Sequence, residues 1–437
     1  MPLFDPQALN RGVARREVFG WAMYDFANSG YTTVVLTAVF NAYFVGVVAG
    51  GADWGTLAWT LILGLSNALV MLATPVLGAW ADARAAKKLL LVATTIGCVV
   101  ATAALAGVGR GDLWLAVAAI VVSNFCYSIG EQLTAAFLPE LARREALGRV
   151  SGWGWSLGYF GGMLTLGLSL GYVIWAQGQG LPATHFVPVT MLITAVVYAL
   201  ASLATFVLLE ERAVPQPATV SGATATALQR LGHTWREARR YEDFRWLLAC
   251  AVFYQAGISV VIALAAIYAE EVLGFKQTQT MMLIFLVNIA SAAGAFAFGY
   301  GQDRIGHRKA LGLTLWGWVL MTLLALAATT PGPFWVAAVL AGLCMGSSQS
   351  AGRALAGLFA PPDRLAEFYG LWIFATRASA IVGPITYGVV TWLTGGNHRL
   401  GIASTGLFFV VGLVLLRRID VARGQAAALA GQPVAGK

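Results

Sequence analysis

The sequence predicts an all-α membrane protein of twelve transmembrane helices in two six-helix bundles, and three observations carry that prediction. Of 437 residues, 58% are apolar and only 11% are charged, with a mean hydropathy of +0.72. A soluble globular chain carries about 25% charged residues. The charges gather in short polar breaks between long apolar runs, and at roughly 36 residues per helix and connection the chain holds about a dozen spans. The two halves also repeat a polar motif at a separation of about half the chain. Transmembrane β-barrel strands would be about 10 residues long with alternating polarity, a pattern these runs lack.

Spans are expected at about 18–48, 56–80, 88–108, 113–138, 150–175 and 186–209, then 244–269, 278–301, 310–330, 333–357, 367–393 and 400–417. This divides the chain into an N-terminal bundle (1–209), a linker (210–243) and a C-terminal bundle with its tail (244–437). The first span carries Asp25, Asn28, Ser29 and Tyr31. Pro75 in the second and Pro384 in the eleventh would free backbone carbonyls and bend those helices. Span five presents Gly154, Gly158 and Gly162 at four-residue spacing, the mark of a close helix-packing face. Trp54, Trp114, Trp175 and Trp335 fall near span ends and read as interfacial anchors. The linker opens on Val214-Pro215-Gln216-Pro217 and continues with Leu228, Leu231 and Trp235 at helical spacing among arginines. That is either a surface amphipathic helix or a solvated one.

Orientation follows from the basic residues. Of the 28 Lys and Arg, only Arg110, Lys276 and Arg399 lie in the loops opposite the termini, and Arg377 lies within a span. The positive-inside rule then places both termini and the linker in the cytoplasm of a bacterial inner (plasma) membrane protein. The net charge of +8 forms no continuous stripe, so no nucleic-acid partner is expected. Cys98, Cys126, Cys250 and Cys344 all sit in apolar runs without CxxC spacing, and the four histidines fall in loops. Neither a disulfide framework nor a metal site is indicated, and no cofactor is expected. The polar first seventeen residues lead into no short apolar core with a cleavage site, so no cleaved signal peptide is expected.

Ionisable groups inside a bilayer cost about 2.5–3.5 kcal/mol each on insertion scales. The spans contain Asp25, Glu131, Arg353 and Arg377, together with the polar Gln255 and Gln349. Arg377 lies about ten residues into span eleven, ~15 Å deep. Asp25 or Glu131 could titrate during transport, with Arg377 or Arg353 as counter-charge or as anchor for a substrate carboxylate. The alternatives are a structural ion pair closing the cytoplasmic side, or an Arg353 that snorkels to the headgroups. Asn41, Asn67, Asn124 and Asn288 either line a path or bond between helices.

The repeated motif runs Gly78, Asp82, Arg84, Lys87 and Lys88 after span two, and Gly299, Asp303, Arg304, Gly306, Arg308 and Lys309 after span eight. It resembles the loop signature of the major facilitator superfamily, with Ala83 and Ala85 replacing the usual Arg and Gly in the first copy. The resemblance implies a conformational-switch role for these loops and a central path lined by spans 1, 4, 7 and 10. Trp21-Ala22-Met23-Tyr24-Asp25-Phe26-Ala27-Asn28-Ser29-Gly30-Tyr31 is similar to the opening signature of the vacuole-effluxer-like permeases. Phe137-Leu138-Pro139-Glu140-Leu141, Gly158-Tyr159-Phe160-Gly161-Gly162 and Glu367-Phe368-Tyr369-Gly370 resemble that family too. The Asp-Gly pair usual in its seventh span is Ala256-Gly257 here. The resemblance implies a permease, with amino-acid release in eukaryotic members.

The leading expectation is a monomeric secondary transporter of a small solute, an amino acid or related carboxylate, moving outward by alternating access. Proton coupling through Asp25 or Glu131 and facilitative uniport both fit. A cationic drug exporter, or a transport-dead receptor or scaffold with a permease fold, are the rivals. No P-loop motif appears. No His cluster, HExxH or GxSxG motif is expected to carry an enzyme.

Overall fold

The computed structural model of the chain describes residues 4–143, 147–212, 239–361 and 365–430. The linker segment expected to form an amphipathic helix lies largely outside the described residues. Among the described residues are twelve long helices: α1 (Arg15–Tyr31), α2 (Gly55–Arg84), α3 (Lys87–Ala104), α4 (Leu113–Leu141), α5 (Leu147–Gly178), α6 (Ala183–Leu208), α7 (Glu242–Leu273), α8 (Gln277–Ile305), α9 (His307–Ala327), α10 (Pro331–Phe359), α11 (Leu365–Leu393) and α12 (His398–Leu416). A thirteenth, α13 (Val421–Ala430), follows them. Eleven helices among the described residues are long and apolar enough to cross a membrane.

The first span is not one regular helix. After Tyr31 the chain winds through wide turns at Thr32–Ala38 and Phe44–Val48, with a short helical turn at Phe40–Tyr43 between them. Val39 N–H donates to Val34 O, and Ala49 N–H to Phe44 O, each five residues back. The β-branched run Thr32-Thr33-Val34-Val35 crowds the preceding turn and weakens regular α geometry. Elsewhere the helices present lipid-facing stripes. On α6, Leu192, Val196, Leu200, Leu203 and Val207 are exposed at helical spacing, an arrangement that suits hydrocarbon but not water.

Two compact units account for the chain. The first holds residues 1–55, 65–224 and 276–285, and the second holds 56–64, 225–275 and 286–437. In the first unit, α1 lies against α4, α5 and α6. The segment before α1 crosses their ends: Leu9 bridges Ala142, with Asn10 N–H donating to Leu141 O and Arg143 N–H to Ala8 O. Phe4 sets its ring edge-on to Trp153 at 5.4 Å. In the second unit α7 packs against α11 and α12, and α9 against α10 and α12. Both units therefore surround their first helix with their fifth and sixth.

Candidate functional site

Helical spacing sorts the polar residues of α1 onto two faces. Tyr24, Asn28 and Tyr31 point into the interior of the first unit. The Tyr24 hydroxyl lies 3.0 Å from Thr95 Oγ1 on α3, and the Tyr31 hydroxyl 2.8 Å from Ser123 Oγ on α4. The Tyr198 hydroxyl of α6 is 2.6 Å from Asn28 Oδ1 and 3.3 Å from the Tyr24 hydroxyl. Asn28 Nδ2 is enclosed and finds no hydrogen-bond partner among the described residues.

Asp25, Ser29 and Thr33 form the second face, laid against the glycines of α5. A methyl group at Gly154 would strike the Asp25 carboxylate, at Gly158 the Ser29 hydroxyl, and at Gly162 the Thr33 hydroxyl. Every fourth residue of one helix thus meets every fourth residue of the other. At Gly161 the approach is closer still, against the backbone of Phe26. Only glycine permits such contact. Trp21 secures the same helix by donating its indole N–H to Thr134 O at 2.8 Å.

The second unit repeats these contacts with different chemistry. The Tyr24 hydroxyl abuts Gly130 on α4, and the Tyr254 hydroxyl abuts Gly352 on α10. Phe26 lies on Gly161 as Ala256 lies on Gly383. Asp25 and Gln255 follow the matched tyrosines, and Glu131 and Arg353 follow the matched glycines. The duplicated positions therefore hold two carboxylates in the first half, but an amide and a guanidinium-bearing residue in the second. Counted back from Gly383, the positions matching Gly154 and Gly158 are Thr376 and Ala380. Without those glycines, Gln255 is instead bonded to α10. Its Nε2 donates to Gln349 Oε1 at 2.8 Å, and Gln349 Nε2 donates to Gln255 Oε1 at 3.1 Å.

Glu131 and Arg377 are half-buried on α4 and α11, as is Asp25 on α1. The side chains of Arg353, Asp82, Asp303 and Arg304 lie outside the described residues, and these positions, like Gly78 and Gly299, fall on helices. Arg84 stacks its guanidinium over Trp80 at 4.9 Å. Lys87 is buried and ion-paired with Glu140. The Glu211 carboxylate accepts from Lys87 N–H and Lys88 N–H at 2.7 and 3.0 Å, capping α3 where its dipole favours an anion.

These contacts belong to a cluster that sequence reasoning missed. Arg212, just beyond α6, reaches back to α1 with two hydrogen bonds to Glu17 at 2.6 and 2.8 Å. That carboxylate raises the Arg212 guanidinium above its ordinary range. In the second unit, Arg423 on α13 grips Asp243 at the start of α7 at 2.8 and 2.9 Å. Asp243 in turn raises the Arg423 guanidinium. Another pair repeats as well. Lys88 Nζ donates to Leu209 O at the end of α6, and Arg308 Nη2 to Arg417 O at the end of α12. An acid in the first turn of each unit's leading helix was the available signal.

Contrary to the expectation of no GxSxG motif, a Gly-x-Ser-x-Gly string, Gly154-Trp155-Ser156-Leu157-Gly158, does occur in α5. A hydrolase nucleophile of that pattern needs a sharp strand-to-helix turn. Here the string is continuous helix, and its glycines serve packing.

Duplicated six-helix units, with polar groups on the first and fourth helix of each, define a membrane transporter of the major facilitator type. Solved structures share the fold. A D-xylose-proton symporter matches with a TM-score of 0.73 at 13% identity, over 93% of this chain and 98% of that one. The nucleoside transporter NupG matches with a TM-score of 0.63 at 15% identity, over 92% and 96%. The family described as vacuole effluxer Atg22 like matches residues 56–148 and 145–429, and this chain belongs to it. The MFS-type transporter YxiO of Bacillus subtilis (strain 168) is 25% identical over 91% of this chain and 93% of its own length. Autophagy-related protein 22-1 of Penicillium rubens is 27% identical over 48% of this chain, and the match spans only 38% of that protein.

Proposed function

We propose that this transporter exports a small amino acid or related carboxylate by alternating access, with both termini and the linker in the cytoplasm of a bacterial plasma membrane. In this reading Asp25 and Glu131 carry the proton, and Arg377, with Arg353, receives the substrate carboxylate. The difference in charge at duplicated positions carries the reading. One ancestral site has become two acids in the first half and an amide with an arginine in the second. A carboxyl group can take up and release a proton, and an arginine on a spanning helix costs least when paired with an anion. The first half is therefore suited to protons and the second to a carboxylate. Membership of the effluxer family supports the direction.

Flux of radiolabelled amino acids and organic acids in proteoliposomes, with and without a pH gradient, tests the proposal. Replacing Arg377 by Ala should lower flux about 30-fold, the equivalent of about 2 kcal/mol for a charged hydrogen bond. Wild-type flux should vary with pH, and Glu131→Gln, permanently neutral, should flatten that profile. A correctly inserted Arg377→Ala protein with wild-type flux would remove the arginine from the site. Transport confined to lipophilic cations would overturn the carboxylate assignment and make Asp25 and Glu131 the anionic site.

A further inference from the structure

The second unit contains a cavity of about 780 Å³ that none of the polar residues of α7, α10 or α11 lines. Its walls come from the start of α9, the end of α12, Leu358 of α10 and the first residues of α13. The polar end holds His307, Arg308, Lys309 and Arg417, around the N-terminus of a 21-residue helix. Asp420 is the acid in this lining, and its carboxylate is already committed, accepting from Arg423 N–H at 3.0 Å to cap α13. His307 Nδ1 is enclosed without a hydrogen-bond partner among the described residues. The rest of the lining is largely apolar and includes Gly312, Trp316, Leu413 and Leu416. Trp316 lies nine residues beyond His307, or ~14 Å along the helix axis. It belongs to the exposed stripe Leu313, Trp316, Leu320 and Leu323 that α9 turns toward hydrocarbon.

We infer that this cavity is a binding site for an anionic phospholipid, its phosphate at the α9 N-terminus and its acyl chain beside Trp316. A helix N-terminus with clustered basic side chains recognises a phosphate. The occupant must also fill an apolar trough that is continuous with a lipid-facing helix surface, a demand that free phosphate does not meet. The site rests on the membrane embedding of α9 and α12, not on the transport proposal. It places a lipid against the Arg308–Arg417 contact that ties α9 to α12, and against α13.

Native mass spectrometry of the full chain in detergent tests this, with equimolar dioleoyl-phosphatidylglycerol and dioleoyl-phosphatidylcholine as probes. The wild type should retain the phosphatidylglycerol preferentially. Each basic charge removed should weaken retention about fivefold, so Arg308→Gln/Lys309→Gln should lose more than tenfold. Because Arg308 also bonds Arg417 O, Lys309→Glu provides a variant at an exposed position. It should lose the preference while keeping the wild-type melting temperature. Equal retention of the two lipids would overturn the site, as would undiminished preference in Lys309→Glu. Displacement of the bound lipid by millimolar inorganic phosphate would make it a free-anion site instead.

Discussion

The tightest constraints on this chain are glycines pressed against backbone. Gly161 meets the Phe26 peptide and Gly383 meets the Ala256 peptide. A methyl group at either position has no flexible side chain to displace, so the helices themselves must separate. Gly161→Ala and Gly383→Ala should each cost about 1–3 kcal/mol, seen as a lower melting temperature in detergent. Gly171→Ala, on the same α5 but with open space around it, should be neutral or stabilising. An equal loss at all three sites would refute the close-approach account. The glycine spacing on α5 was legible because a four-residue period is local. Its partners Asp25, Ser29 and Thr33 were not, since spacing along one helix says nothing of which neighbour lies opposite. The Gln255–Gln349 pair was unreadable for the same reason. A double-mutant cycle to Ala should give a coupling near 0.6 kcal/mol, typical of bonds between membrane helices. A coupling of zero would mean that the two amides are not bonded in the membrane.

Among the helices, each unit fastens its first to the segment after its sixth. Glu17 and Asp243 are buried carboxylates, with side chains only 3% exposed, whose arginine partners are 29% and 53% exposed. Removing the arginine strands the acid without its bonds, at a cost of about 1–3 kcal/mol. Arg212→Ala and Arg423→Ala should both unfold at lower temperature. Glu17→Gln combined with Arg212→Ala should recover part of the loss, since no charge is left buried. If the double variant is no more stable than Arg212→Ala, desolvation of Glu17 is not the cause. Helix positions were readable from hydropathy alone, yet these fastenings were not. Sequence placed Lys87 in a switch loop because a basic residue follows the span, whereas its burial against Glu140 depends on how α3 and α4 pack. The irregular second half of the first span was equally hidden, because its residues are as apolar as a regular helix requires.

Across the whole molecule, the repeat is deeper than the loop motif that announced it. Tyrosine on glycine and a basic residue on the last carbonyl both recur, while the charges at the matched positions diverge. The shared contacts maintain the packing, and the divergent ones are free to specialise. If the charge difference serves function, exchanging characters should abolish flux without unfolding the protein. Asp25→Asn, neutral and of the same size, should keep a near-wild-type melting temperature in detergent and lose its pH-dependent transport in proteoliposomes. A variant that transports normally would assign the proton step to another residue.

The fastening of first helix to last also imposes an order on synthesis. Glu17 is made 195 residues before the arginine that neutralises it. At about 5–20 residues per second, it waits some 10–40 s on the ribosome. During that interval the first helix carries an unanswered charge at its end and gains by staying near the membrane surface or the insertion machinery. The arrival of Arg212 then closes the first unit before most of the second exists. Asp243 faces the same wait for Arg423, so a chain stopped after α12 would leave its second half open at the corresponding corner.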